Sequence, residues 1–194
     1  MKIIPLHSDK MQAHNKLQKL LEKLKVNDRE TQAYVFAKYS PKMLGTCRQY
    51  VRDLQQAEEV MLAAFLKVFT KIDTYTSKGN FEGWMRRIMV NECLSFLRKK
   101  NRLHFVDDDA FFEVIADEPD DNEEQLNIVQ QLIDKLRNDY KIVFNLYVVE
   151  EYKHREIAQM LGITENASKI RYKRAKELLQ EQYNLVQNKT QIIS

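Results

Sequence analysis

The sequence predicts an all-α protein made of two small helical domains joined by an acidic linker. Three observations carry that expectation. Gly and Pro number only 4 and 3 in 194 residues, too few for the hairpins of an all-β fold, so helices joined by short turns are expected. Apolar residues recur at 3- and 4-residue spacing through most of the chain, the period of an amphipathic helix. Charge then divides the chain in three. Residues 1–104 carry 20 Lys and Arg against 10 Asp and Glu, residues 105–124 carry 10 acids and no base, and residues 125–194 carry 11 bases against 8 acids. Two basic modules flank an acidic tether, and a basic face suits a polyanionic partner. With 44% hydrophobic and 30% charged residues, the chain can form a core.

The first helix is expected around Leu17, Leu20, Leu21 and Leu24, which share one face. Asn27-Asp28 breaks it. Asp28 can cap a second helix that buries Ala33, Tyr34 and Ala37, with Phe36 a further candidate. Ser40-Pro41 reads as the N-cap and first residue of a third helix through Tyr50. Asp53 can cap a fourth helix to about Lys71, with Val60, Ala64, Leu66 and Val68 as its core. Residues 72–80 are polar, contain Gly and read as a loop. Asn80 can cap a fifth helix from Phe81 to about Lys100, where Trp84, Ile88, Cys93 (or Met89), Leu94 and Leu97 alternate with Arg86, Arg87 and Asn91.

Ten acids within residues 105–124 repel one another and resist compaction. The embedded Phe111, Phe112, Val114 and Ile115 are too apolar for an inert spacer. They are expected to dock on a surface; a short amphipathic turn packed on a neighbouring domain is the plainer alternative. Beyond Gln125, Leu126, Val129, Leu132, Ile133 and Leu136 form one helical stripe, and Ile142, Val143, Leu146 and Tyr147 a second. The expected organisation is a helical domain over 8–104, the linker over 105–124, a second helical domain over 125–184, and flexible tails at 1–7 and 185–194.

The most informative stretch is 153–179. Glu156-Ile157-Ala158 opens a short helix that ends at Leu161. Gly162 can take the left-handed conformation of a tight turn, Ile163 plugs the gap between helices, and Thr164 caps the next one. This is the pattern of a helix-turn-helix. Ser168, Tyr172, Ala175 and Leu179 are expected on the inner face of the second helix. Lys169, Lys173, Arg174 and Lys176 point elsewhere, with Arg171 near the boundary. Such charge suits phosphate contact and donation to guanine in the major groove. The alternative is a solvated helix with surplus lysine.

Catalysis fails on inventory. His7, His14, His104 and His154 are scattered, and the sequence has no metal-ligand spacing, Gly-rich phosphate loop or nucleophile elbow. No metal or cofactor is expected. Cys47 and Cys93 sit among apolar neighbours and read as buried thiols. Without a signal peptide or a membrane-length apolar run, the protein is expected in the cytoplasm.

Both modules together resemble an extracytoplasmic-function sigma factor, the minimal type that keeps only the second and fourth sigma domains. In the C-terminal half the resemblance rests on Ile142-Val143-Phe144, Glu156-Ile157-Ala158, Leu161-Gly162-Ile163 and Lys169, Arg171 and Arg174-Ala175-Lys176. In the N-terminal half it rests on Ala57-Glu58-Glu59-Val60, on 65–69, on Phe81 to Asn91 and on Arg98-Lys99-Lys100.

The resemblance implies three surfaces. Asp53, Glu58, Glu59 and Leu62 would dock on the clamp helices of the polymerase's largest subunit, where an acidic face fits a basic partner. Glu58 and Glu59 also suit the positive end of a helix dipole. Lys78, Asn80, Trp84, Arg86, Arg87, Asn91 and Arg98 would open and read the −10 promoter element, capturing unstacked bases and holding backbone. Trp84 has two readings, core packing, which a lone tryptophan at helical spacing favours, and contact with DNA. Lys169, Ile170, Arg171, Lys173, Arg174 and Lys176 would read the −35 element. The linker would follow the polymerase channel for nascent RNA, and its twenty residues span up to ~66–72 Å. The implied partners are core RNA polymerase, through clamp helices and flap, promoter DNA and an anti-sigma protein, with no small-molecule substrate. A stand-alone helix-turn-helix regulator and a protein-only helical adaptor are the other two readings of the residues.

Overall fold

The computed structural model describes the backbone of residues 6–76, 80–99 and 126–193, and the side chains of 15–76, 80–99 and 130–186. The linker at 105–124, with Phe111, Phe112, Val114 and Ile115, lies outside the described residues, as does Lys78. The described residues form eight α-helices and no strand. The chain divides into two compact units, 1–96 and 97–194.

The first unit holds α1 (Leu6–Lys25), α2 (Arg29–Arg48), α3 (Leu54–Thr70) and most of α4 (Phe81–Lys99). Its helix starts follow the capping residues. Asp28 accepts from the Thr31 amide at 2.9 Å, Asp53 from the Gln56 amide at 2.8 Å and Asn80 from the Glu82 amide at 3.0 Å. Each satisfies a donor that the helix itself leaves orphaned. Asn27 makes the break after α1 with a left-handed φ of 57°.

Three expectations are corrected here. The helix does not restart at Ser40-Pro41, because α2 runs through with Pro41 inside it. A proline inside a helix costs about 3 kcal/mol, whereas each buried large apolar side chain contributes roughly 1.5–3 kcal/mol. Val35 lies buried before the proline, and Met43 and Cys47 after it. The inward face of α2 is Thr31, Val35, Met43, Thr46 and Cys47, while Ala33, Tyr34 and Ala37 are exposed. Alanine carries little apolar area, so the larger Val35 and Met43 decide which face turns in. Leu66 of α3 is 65% exposed; the core face of that helix is Ala57, Val60, Met61, Ala64, Phe65 and Val68. Phe65 meets Phe36 edge-on at 4.9 Å, a contact that fixes the rotation of α3 and leaves Leu62 and Leu66 outside.

The stretch after α3 begins as a 3₁₀ turn, Ile72–Thr74, with Ile72 and Tyr75 buried. It is therefore tied to the core at its start rather than free from residue 72. On α4 the buried set is Phe81, Met85, Met89, Val90, Cys93, Leu94 and Leu97, with Trp84 and Ile88 half-buried. Cys93 Sγ lies 3.9 Å from the Cys47 carbonyl. Its bond with Cys47 and its burial push the Cys93 thiol up, so it stays protonated.

The second unit holds α5 (Leu126–Lys135), α6 (Asn138–Phe144), α7 (His154–Leu161) and α8 (Glu165–Ile193), and α5, α6 and α7 all pack on α8. Leu132, Leu136, Ile142, Val143, Leu146, Ile157, Leu161 and Ala175 form its core. Leu126 and Val129 lie outside the described side chains. Tyr147 leaves its expected stripe. A π-helical turn over Asn145–Val149 widens the helix after Phe144 and rotates Tyr147 outward. The helix α8 also continues to Ile193, through a segment expected to be a tail.

Candidate nucleic-acid interface

The turn between α7 and α8 is built as its residues require. Lys153 donates its amide to Glu156 at 2.8 Å, which starts α7. Gly162 ends it at φ 69°, ψ 34°, with its amide donating to the Ala158 carbonyl. The Ile163 amide donates to that carbonyl at 3.1 Å. Thr164 Oγ1 accepts from the Ala167 amide at 3.0 Å and starts α8. These are the two helices of a helix-turn-helix.

A cluster unforeseen in the sequence locks them together. His154 Nδ1 lies 3.0 Å from Ser168 Oγ, and its ring stacks on Tyr147 at 4.4 Å and 11°. Tyr172 closes the cluster, 4.5 Å from Tyr147. Burial, with Lys169 nearby, lowers the His154 pKa, so the neutral ring is favoured. No periodicity signals this contact, because its partners lie fourteen residues apart on different helices. Only the helix-turn-helix crossing brings them together.

The first half of α8 then has two faces. Ser168, Arg171 and Ala175 are buried, with Tyr172 and Leu179 half-buried. Lys169, Ile170, Lys173, Arg174 and Lys176 are exposed. Ile170 is 52% exposed, a large apolar side chain in the middle of a basic surface. The exposed cations are held loosely: Lys169 pairs with Glu165 at 2.7 Å, and Lys173 and Arg174 share Glu177 at 3.7 and 3.8 Å. Surface pairs of this kind are worth ~0–1 kcal/mol and yield readily to a better anion. Arg171, expected near the boundary, is only 6% exposed. Its Nε lies 3.5 Å from Asp139 Oδ2, and Arg137 also grips Asp139, through Nε at 2.6 Å and Nη2 at 2.5 Å. Arg171 therefore ties α8 to α6 and does not belong to the outward row.

In the first unit, four rings from three elements meet. Tyr75 lies 5.3 Å from Phe81 and 5.4 Å from Trp84; Phe81 stacks on Trp84 at 5.7 Å and meets Tyr39 edge-on at 6.1 Å. Trp84 is thus half core and half surface. Tyr39, Tyr75 and Phe81 were absent from the expected site, although three aromatics within ten residues around a Gly-containing loop were a readable signal. On α4, Arg87, Asn91 and Arg98 are exposed, and Arg86 is half-buried with a bond to Gln49 at 3.3 Å. Asn80 is exposed but spends its Oδ1 on the helix start. On α3, Asp53, Leu54, Glu58, Glu59, Leu62 and Leu66 are all exposed, so the acidic residues border an apolar strip. Asp53 also caps the helix, and Glu59 accepts from Gln55 at 3.5 Å.

The family model for Sigma-70 region 2 matches residues 35–103, and that for Sigma-70, region 4 matches residues 126–179. Together they cover more than half of the chain, in the order of the two structural units. The chain belongs to the sigma-70 family. Region 2 of this sigma chain runs from Val35 within α2 through α4, and region 4 runs from α5 to Leu179 within α8. The chain is 26% identical over 179 residues to the ECF RNA polymerase sigma factor SigW of Bacillus subtilis, covering 86% of this chain and 96% of that one. It is 25% identical over 175 residues to the RNA polymerase sigma-H factor of Pseudomonas aeruginosa, covering 84% and 91%. A solved structure of the sigma factor RpoE with the anti-sigma factor NepR from Bartonella quintana shares the fold, with a TM-score of 0.51, 22% identity, and coverage of 78% of this chain and 96% of that one. Among the described residues, no helix of this sigma chain is long and apolar enough to cross a membrane.

Proposed function

We propose that this chain directs promoter-specific transcription initiation as an extracytoplasmic-function sigma factor, with the −35 element read by the first half of α8. The observation that carries the reading is the outward row Lys169, Ile170, Lys173, Arg174 and Lys176, set directly after the Gly162 turn in a chain that also holds region 2. The four cations suit phosphate contact and guanine O6 and N7, and Ile170 suits a thymine methyl. Arg171 supports this surface from beneath. The −10 element falls to α4 and the loop before it: Arg86, Arg87, Asn91 and Arg98 hold backbone, and Lys78 and Asn80 border the opened strand. The ring cluster around Trp84 offers a stacking platform for an unpaired base. Asp53, Glu58, Glu59 and Leu62 on α3 dock on core polymerase, an apolar strip with acidic edges facing a basic partner. An anti-sigma protein, as in the Bartonella quintana complex, is the third partner. In this reading the chain acts in the cytoplasm and performs no covalent chemistry of its own.

The test is initiation by core polymerase from a cognate promoter, with and without this chain. Initiation is expected to depend on it. Glu58→Lys with Glu59→Lys is expected to weaken polymerase binding at least tenfold and leave helix content unchanged. Arg174→Ala is expected to lower promoter use while polymerase binding holds. Initiation that proceeds equally without the chain, or mutants that fail to separate in this way, would overturn the assignment.

A further inference from the structure

The second unit carries an open groove of about 300 Å³ lined by Leu132 of α5, Phe144 of α6 and Lys176, Leu179, Gln180 and Tyr183 of α8. Four of its six walls are apolar or aromatic, and the single charge is a cation. Its outer wall, Gln180 and Tyr183, lies beyond residue 179, where the match to region 4 stops. The groove exists because α8 continues past the helix-turn-helix.

We propose that the acidic linker of this same chain occupies that groove through Phe111, Phe112, Val114 and Ile115 when the protein is free. Four observations select this occupant. The linker pairs an apolar cluster with ten acids and no base, and the groove pairs an apolar floor with Lys176 and the neighbouring Lys173 and Arg174. Asp107, Asp108 and Asp109 precede the cluster and Asp117 and Glu118 follow it, so acids flank any docked ring on both sides. The linker ends where α5 begins, and α5 supplies Leu132. The eleven Cα steps from Ile115 to Leu126 span at most ~36–40 Å, and repulsion among the acids between them holds the tether toward that extended end. Tethering on that scale gives an effective concentration in the millimolar range, so a contact of millimolar intrinsic affinity is already populated. The groove lies at the small end of the range of ligand pockets, room for one or two aromatic side chains.

Docking has a functional consequence, which rests on the −35 reading of α8. Lys176 belongs both to the groove and to the outward row, so a docked linker and a bound duplex compete for it. The free chain would bind stray DNA less well than its own helix allows.

Hydrogen exchange on the full chain tests the docking without DNA or polymerase. Phe111→Ser with Phe112→Ser is expected to speed exchange across 176–186 by roughly fivefold, with α2 and α3 unchanged. A synthetic peptide of residues 105–124 added to that variant is expected to restore the protection. Tyr183→Ser, which removes the outer wall, is expected to reproduce the loss and to resist rescue by the peptide. Unchanged exchange in the linker variant overturns the proposal. Changes centred on the first unit overturn it by placing the linker elsewhere, and protection that grows with protein concentration overturns it in favour of a second copy. Binding of unrelated duplex DNA, measured on the same proteins, is expected to tighten at least threefold in Phe111→Ser with Phe112→Ser. If exchange changes and DNA affinity does not, the docking stands and the competition at Lys176 falls.

Discussion

Gly162 shows how little a single residue needs to carry. A Cβ added there meets nothing within 4 Å, yet φ is +69°, so the whole cost of substitution is backbone strain. Gly162→Ala is expected to destabilise the second unit by about 1–2 kcal/mol, read as a shift of its urea midpoint, whereas asparagine, which tolerates the left-handed region, is expected to cost less. His154 gives the unit a pH dependence of definite sign. Its folded pKa is lowered, first by burial and then by Lys169, so the folded state holds fewer protons than the unfolded one. The stability at stake is fully present above the ordinary value of 6.5 and is lost as pH falls from there through the lowered folded value. Thermal unfolding between neutral pH and pH about 5 is expected to show this slope, and His154→Phe is expected to remove it. Asp28 works at the other end of the scale: its bonds from Thr31 lower its pKa, so its cap holds above the ordinary carboxylate range and fails only in acid.

At the scale of the helix, α8 divides its cations between two tasks. Arg171 is buried against Asp139, and removal of one partner from a buried pair leaves an uncompensated charge worth roughly 3–5 kcal/mol. Asp139→Ala is therefore expected to destabilise the second unit by about 3 kcal/mol in denaturant titrations. Lys169→Ala, at an exposed pair, is expected to change stability by less than about 0.5 kcal/mol and to lower promoter use. The sequence distinguished these tasks only in part. Capping residues are local, so Asp28, Asp53, Asn80, Gly162 and Thr164 announced their helix boundaries. Helix rotation is decided by volume and by partners distant in sequence, so the inner faces of α2 and α3 were misassigned at Ala33, Tyr34, Ala37 and Leu66. The same reason hid the burial of Arg171, whose partner Asp139 lies thirty-two residues away on α6. Pro41 misled because a strong local signal for a helix start was overruled by burial on both sides of it.

For the whole molecule the governing quantity is charge held in separate blocks. A formal net charge of +3 understates the field that DNA meets, because the acidic block sits in the linker and the bases sit on the two modules. Binding of the chain to duplex DNA is expected to weaken steeply with salt, and loss of one phosphate contact, as in Lys173→Ala, is expected to reduce the slope of log affinity against log salt by about 0.9. Fluorescence-based titrations at several salt concentrations measure this, and the protein supplies its own probe. Trp84 is the sole tryptophan in 194 residues, and it sits in van der Waals reach of Phe81 and Tyr75, beside the loop proposed to open the promoter. Excited at the red edge where its nine tyrosines do not absorb, the unlabelled chain therefore emits from one known address. A time-resolved mixing experiment with a single-stranded −10 oligonucleotide, which adds no protein emission of its own, can follow base capture at that address without a dye on the protein or the DNA.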